Sequence, residues 1–585
     1  MRRWGWLAAA LVCAALWTPA PSWAAGSLAP PTCGPKDNPT GIADVDGQVS
    51  AADRVSGRWM QSYTCNLELV GQEIGEGTSW QNASYDTCDY YDTSGSSNQQ
   101  QLGSRTVDVS DPAHPKTTAI LHTPAMDDPW ESLKVNHRRG LLAGVENAGP
   151  GFSIYDVTQD CKHPKHLASI QTTVTGGTGH AGAFAADGMT YYGTTPGDIY
   201  AIDVRDPTHP KDFFRWTPPD AAQLHDLATN DDGTRAYFGG IGRLAGGDTP
   251  ADRNPNNGLQ IIDISDIQNR VKNPQPKLIG KVYWKDGGVS QEAFPVSIGG
   301  RPFVVFADEL GPYGIEDQEG RARACAQGLP PFGMARLIDI SDETKPVIAS
   351  RLMLQVDDPD NCASTIGDNS AEAIFSYDTH YCSVDNVHDT SYVACDQFQS
   401  GVRVYDVRDP YHPREVAYYI PPARQAPAGS NFSAGAGGIG DWAPSKPQWH
   451  HGDELWVTTM NNGFQVLRFT NGLRFASPSS DKQLADQPVP ASTPAAPEPR
   501  QAVARCMASL RLRVKAPRGR RLRSATIYVD GRRVRTVRGR ALRRPVVLRG
   551  LNRRAVEVRM VLRTTGGRTI SRIKSYRLCH RRRRP

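Results

Sequence analysis

Residues Gly401–Pro413 read GVRVYDVRDPYHP, and this stretch decides the fold. An alternating run, with Val and Tyr on one side, ends at Asp406 and is followed by an Asp-Pro turn at Asp409-Pro410. Strict alternation describes a strand packed on one face, and the proline ring pushes the residue before it to an extended conformation. Variants recur along the chain. SRTVDVSDPAHP ends at Pro115, FSIYDVTQDCKHP at Pro164 and DIYAIDVRDPTHP at Pro210. LQIIDISD and ARLIDISDETKP are looser copies, and GFQVLRFTNG is a degenerate last one. Seven copies are thus anchored at Asp108, Asp156, Asp203, Asp263, Asp339, Asp406 and Arg468.

The anchors lie 47 to 76 residues apart, and a four-stranded blade needs about 40–50. The longer intervals hold Gly-, Pro- or Asp-rich insertions at residues 239–257, 309–332, 356–369 and 421–447, which read as loops. Strand-like segments follow several turns, as in His166–Gln171, Pro276–Val282 and Arg414–Ile420. A similar segment, Cys65–Gln72, stands alone before the first repeat, and none follows the last repeat after Phe469. An orphan outer strand at one end and a missing one at the other imply a closed ring with no exposed sheet edge. The expected fold is all-β: a seven-bladed β-propeller over residues 65–475, closed by an N-terminal strand.

The repeat resembles that of the LVIVD-repeat proteins, exported bacterial β-propellers whose unit is an apolar strand, an Asp and an Asp-Pro turn. LQIIDISD, VRVYDVRDP and IYAIDVRDP carry the likeness. It implies the fold and leaves the chemistry open.

The repeat's own polar residues have a structural explanation. Each anchor Asp is suited to accept backbone N–H groups of the turn that follows. His114, His163, His209 and His412 recur beside the turn proline, on the outer side of the blade, where equivalent positions do not converge. They are set aside as metal ligands. Convergence belongs to the innermost strands, upstream of each anchor. Reading back gives Glu131, His180, His225, Glu292 and His380 at matching places. Three histidines with carboxylates suit a first-row transition metal. Asp226, next to His225, is placed to orient its ring. Cys382 falls on the same side of its strand as His380 and reads as a disulfide partner. The arrangement is similar in kind to propeller oxidases with axial histidines, the selenium-binding protein and methanethiol oxidase family, in architecture alone.

Residues 1–24 read as a secretory signal: Arg2 and Arg3, an apolar run from Leu7 to Trp17, and Ser22-Trp23-Ala24 before cleavage. No later stretch is apolar and long enough for a membrane span. Export makes disulfides expected. Ten cysteines remain beyond Cys13, with Cys506–Cys579 the expected pair and 105 pairings open for the other eight. Residues 25–64 read as a loosely structured lead-in, and 476–500, rich in Pro, Ala and Ser, as a linker.

Residues 501–585 hold twenty-eight Lys and Arg against Asp530 and Glu557, a net +26 that leaves −21 for the rest of a chain totalling +5. Alternating segments, with an Asp-Gly hairpin signal at Val529–Val534, describe a small immunoglobulin-like β-sandwich. With few aromatics and arginines in every strand, nucleic acid is not the expected partner; anionic envelope polymers are. The sequence contains no GxSxG, HExxH or P-loop motif. Two functions remain open. One is a secreted or surface-associated scaffold, binding protein or carbohydrate on a propeller face and tethered by the basic module. The other is a metal-dependent oxidoreductase of Cu or Fe type with an axial His/Glu site, and no catalytic residue is assigned.

Overall fold

The computed structural model describes residues 26–476 except 42–43, 94–102, 173–178, 196, 219–222, 242–255, 314–317, 368–374 and 427–438. It also describes 509–577 except 513, 515–521, 530–531, 550–554 and 566–568. The chain divides into two compact units, residues 1–492 and 493–585.

In the first unit the repeats fold into seven sequential antiparallel sheets among the described residues, the architecture of a β-propeller. The first spans residues 82–121, the second 134–171, the third 182–216 and the fourth 223–283. The fifth spans 289–352, the sixth 382–420, and the seventh is built on 448–469. The seventh takes its outer strand from the other end of the chain: Leu67–Glu73 pairs with Gly463–Phe469. The ring closure expected from the orphan strand is therefore observed, shifted by two residues. Cys65 belongs instead to Tyr63–Cys65, a fifth strand on the sixth sheet, and Asn66 separates the two at φ 61°.

One detail repeats in every sheet. The outer strand slips by one residue against the third, bulging at Thr118, Leu167, Phe213, Ile279, Ala349, Val416 and Val70. A bulge strengthens the local twist, and its presence at Val70 marks Leu67–Glu73 as a true outer strand. The residue after it lies against the next sheet's turn. A Cβ on Gly71 would stand 2.1 Å from the Pro112 carbonyl oxygen, and one on Gly280 2.0 Å from that of Glu343. Neighbouring sheets pack face to face, as Leu141, Phe152 and Ile154 do against Phe184, Tyr191 and Ile202. Each such side chain is worth about 1.5–3 kcal/mol when fully buried.

The six anchor aspartates each accept the backbone N–H two residues on, at 2.8 to 3.2 Å. The turn histidines bond the turn's own aspartate three residues earlier at 2.9 to 3.0 Å and are largely exposed. The seventh copy keeps the pairing with its sign reversed. Arg468 faces Glu454 in register at 2.7 Å, where the fourth sheet has Asp263 facing Arg235 at 3.4 Å.

The lead-in corrects the expectation of loose structure. Asp46 makes a buried ion pair with Arg403 at 3.1 Å, and Ala51–Ser56 forms a short helix capped by Ser50. Composition rich in Gly, Pro and Asp concealed this because the partners lie in the sixth sheet. Four disulfides join Cys33–Cys65, Cys88–Cys161, Cys325–Cys362 and Cys382–Cys395. Cys382 is thus paired, as expected. The insertion at 309–332 is not all loop: Gln318–Ala326 is a helix, tied through Cys325 to the 356–369 insertion. No described helix is long and apolar enough to cross a membrane. Residues 1–25, most of the linker, and Cys506 and Cys579 lie outside the described residues.

In the second unit a four-stranded sheet is built on the hairpin Leu522–Val529 and Arg532–Arg538, as the Asp-Gly signal implied. A two-stranded sheet pairs Ser509–Leu512 with Val546–Arg549. One apolar core, including Leu512, Ile527, Val537, Leu548 and Leu562, draws on both sheets.

Candidate metal centre

The residues picked out by reading back from the anchors lie at the starts of innermost strands. Glu131 precedes Lys134–Asn136, His180 precedes Gly182–Phe184, and His380 precedes Cys382–Val384. His225 and Glu292 lie within Gln223–Thr229 and Val289–Ile298. Side chains there reach non-neighbouring sheets: Lys134 of the second meets Asp226 of the fourth at 2.7 Å. In a ring, only groups facing the axis make such contacts.

Backbone clips fix the positions. The Glu131 N–H donates to the His180 carbonyl at 3.3 Å, and that of His380 to the Asp396 carbonyl at 2.9 Å. Trp130, at φ 50°, turns the chain into Glu131. Bulges position the other two. His225 and Asp226 stand between the pairs Leu224/Gly240 and Leu227/Phe238, and Gln291 between Ser290/Asp308 and Glu292/Ala307. Bulges of this kind re-aim side chains beside functional sites.

Two groups of ligand atoms result, sharing Glu131. In the first, Glu131 Oε2 lies 2.9 Å from His225 Nε2 and 3.4 Å from His180 Nε2, and the two imidazole nitrogens are 2.9 Å apart. In the second, His380 Nε2 lies 3.3 Å from both Glu131 Oε1 and Glu309 Oε1. The side chains of Glu131, His225 and His380 are at most 4% exposed, whereas His180 is 33% exposed and opens the first group to solvent. His380 Nδ1 faces the Pro444 carbonyl, which holds the ring with Nε2 toward the carboxylates. Trp80 and Phe398 pack around His380, and Trp130 packs beside His180.

Burial opposes charge on Glu131, His225 and His380, and mutual pairing overcomes it. Glu131 would be raised by burial, but the His225 and His180 charges hold it well below the usual carboxylate range. Burial, the largest single effect, lowers His225, but Glu131, with Glu309 and Asp226, raises it on balance. His380, against the same opposition, is pushed up to about 10 by hydrogen bonds to Glu131 and Glu309. With three nitrogen and oxygen donors each, both groups fit a borderline divalent cation.

The expected residues therefore divide. Glu131, His180, His225 and His380 come together. Glu292 does not join them: it pairs with Lys446 and accepts from the Cys382 N–H at 3.1 Å, and burial raises its carboxyl. Asp226 is bonded to Lys134 and to the Leu227 N–H, so it does not orient His225, whose buried Nδ1 has no hydrogen-bond partner among the described residues. Glu309 and Gln291 were missed by sequence reasoning. Glu309 lies in Arg301–Leu310, the second strand of its sheet, and Gln291 adjoins the residue that had been chosen. The bulge that selects Gln291 carries no signature in composition.

Comparison with known proteins agrees on the repeat. Residues 251–269 match the LVIVD repeat. No curated protein matches the chain. Among solved structures it is similar to the β-propeller domain of Cps50 (Swd1) from Myceliophteria thermophila, at 11% identity and TM-score 0.43, covering 69% of this chain and 100% of that one. A Lactobacillus plantarum protein is 10% identical with TM-score 0.39, over 60% of this chain and 86% of that chain.

Proposed function

We propose that this chain is an exported, seven-bladed β-propeller scaffold that binds a divalent first-row transition metal at its axis through His180, His225 and Glu131. The observation that carries the reading is the convergence of three ligand atoms, from three successive inner-strand starts, within 2.9 to 3.4 Å. Tetrahedral bonds of about 2.1 Å place ligand atoms about 3.4 Å apart, so a small outward movement of the two imidazoles admits an ion. The exposed edge of His180 supplies an entry path. Four disulfides support export. The ion's identity separates the two functions: zinc favours a binding scaffold, while copper or iron favours an oxidoreductase. Elemental analysis of the purified chain beside a His180→Ala, His225→Ala variant tests the site. Stoichiometric metal lost in the variant is expected; metal content that the variant leaves unchanged removes the reading.

A second observation concerns the basic unit. Arg523, Arg535, Arg538, Arg540, Arg544 and Arg563 are all exposed, outside the apolar core of the described residues. This supports an immunoglobulin-like sandwich serving as a tether to anionic envelope polymer. Retention on cells should be salt-sensitive and lost on deleting residues 501–585. Retention indifferent to both sinks the tether.

A further inference from the structure

We propose that the axial site holds two divalent ions, with Glu131 as the carboxylate bridge between them. This rests on the metal reading of His180 and His225 and extends it across the axis.

The two oxygens of Glu131 face different partners. Oε2 meets His225 and His180 at 2.9 and 3.4 Å, while Oε1 meets His380 at 3.3 Å. On the His380 side, Glu309 Oε1 also stands 3.3 Å from His380 Nε2. Those two separations match the edge of a tetrahedron drawn with bonds of about 2.1 Å. A carboxylate presenting one oxygen to each of two ligand sets is the geometry that spans ions about 3.5–4 Å apart.

The second set has the supporting contacts of a metal ligand. A ligating histidine gives its other N–H to a carbonyl or carboxylate, which fixes the tautomer. His380 Nδ1 meets the Pro444 carbonyl in this way, leaving Nε2 for the site. Gln291 adds a further donor. Its Nε2 is placed 2.8 Å from His380 Nε2, while its buried Oε1 has no hydrogen-bond partner among the described residues. Turning the amide brings Oε1 to the same point, and the two amide orientations are interchangeable in shape. Neighbouring cations are engaged elsewhere: Lys134 pairs with Asp226 and Lys446 with Glu292. The His180/His225 half is nitrogen-rich and suits zinc or copper. The His380/Glu309/Gln291 half is oxygen-rich and suits manganese or iron.

The full chain, stripped with EDTA and dialysed against cobalt(II), is analysed for cobalt per chain. Two ions in the wild type and one in Glu309→Gln are expected. A wild type that binds one ion overturns the second site and leaves the His180/His225 reading standing; one that binds none removes both. Two ions retained in Glu309→Gln overturn the assignment of the second set. Should that variant not fold, manganese(II) resonance of the wild type at two equivalents decides. An exchange-coupled spectrum supports the bridge, and two uncoupled ions refute it.

Discussion

Replacing Arg403 by Met tests whether the lead-in is part of the propeller's stability. Arg403 is fully buried in Val402–Asp406 of the sixth sheet, with Nη1 at 3.1 Å from Asp46 and 3.0 Å from Glu415. Its Nε donates to the Ser400 carbonyl at 2.9 Å, and its plane lies over Tyr418 at 4.4 Å. Burial first, and the Asp46 charge second, raise Glu415 well above the usual carboxylate range despite Arg403. Arg403 is thus a buried cation set between two carboxyl groups, and burial disfavours the charged form of Glu415. Methionine keeps much of the volume but strands Asp46 without a counter-charge. Breaking a buried pair by removing one partner costs about 3–5 kcal/mol, and that is the loss expected at pH 7.

The pH dependence follows from the same cluster. Without Arg403, the group that lowers Glu415 is gone and its carboxyl rises further. A carboxyl raised in the folded state contributes stability that is fully present below its unfolded value, about 4.3. That contribution is lost as pH rises toward the folded value. Wild type and variant share that loss up to the wild type's folded value, so the deficit is level in acid and grows only as pH rises beyond it. Urea unfolding followed by tryptophan emission reads the propeller alone, because all 12 tryptophans precede residue 477. The midpoint should fall with the slope unchanged. A loss under about 1 kcal/mol at pH 7, or a deficit that shrinks as pH rises, refutes the placement of the charge in a dry site.

Gly71→Ala forces a Cβ against the Pro112 carbonyl and should cost about 1–3 kcal/mol, read as a lower melting temperature. Glu454 is held at about 2, since His451 and Arg468 outweigh the opposing effect of burial. A depressed carboxyl stabilises above its unfolded value and stops doing so as pH falls through the folded one. The difference between wild type and Glu454→Gln should therefore disappear toward pH 2 as Glu454 protonates, and decline again at alkaline pH as His451, raised by the same pair, loses its proton. Removing Cys325 and Cys362 together frees a separation of 37 residues and should lower stability by up to about 4 kcal/mol on the chain-entropy account, by denaturant titration. His412→Ala, at an exposed turn, should leave stability within about 0.5 kcal/mol and metal content unchanged.

What was legible in the sequence was whatever repeats in phase. The anchor aspartates and their turns obey one local rule six times, so each copy corrects the others. Even Arg468, which breaks the rule, keeps the cross-strand pair by exchanging charge with Glu454. The axial histidines were found by the same logic, since repetition says where an inner strand begins. The logic fails where a single sheet departs from its siblings. The bulge in Val289–Ile298 inserts one residue, which aims Gln291 at His380 and turns Glu292 toward Lys446. Period-two reasoning cannot register such an insertion, because both neighbours end up buried. Glu309 escaped for a related reason: it lies on a second strand, outside the positions that repetition makes equivalent. The lead-in escaped because its specificity is non-local, held by Asp46 on Arg403 across more than three hundred residues. On the proposed reading, function sits at the departures from the repeat. Seven identical blades would present seven identical groups to the axis, whereas two ligand sets sharing one carboxylate need inner strands that differ. On that reading, the irregularities in the fourth and fifth sheets are the part of this chain most directly tied to the ions it is proposed to bind.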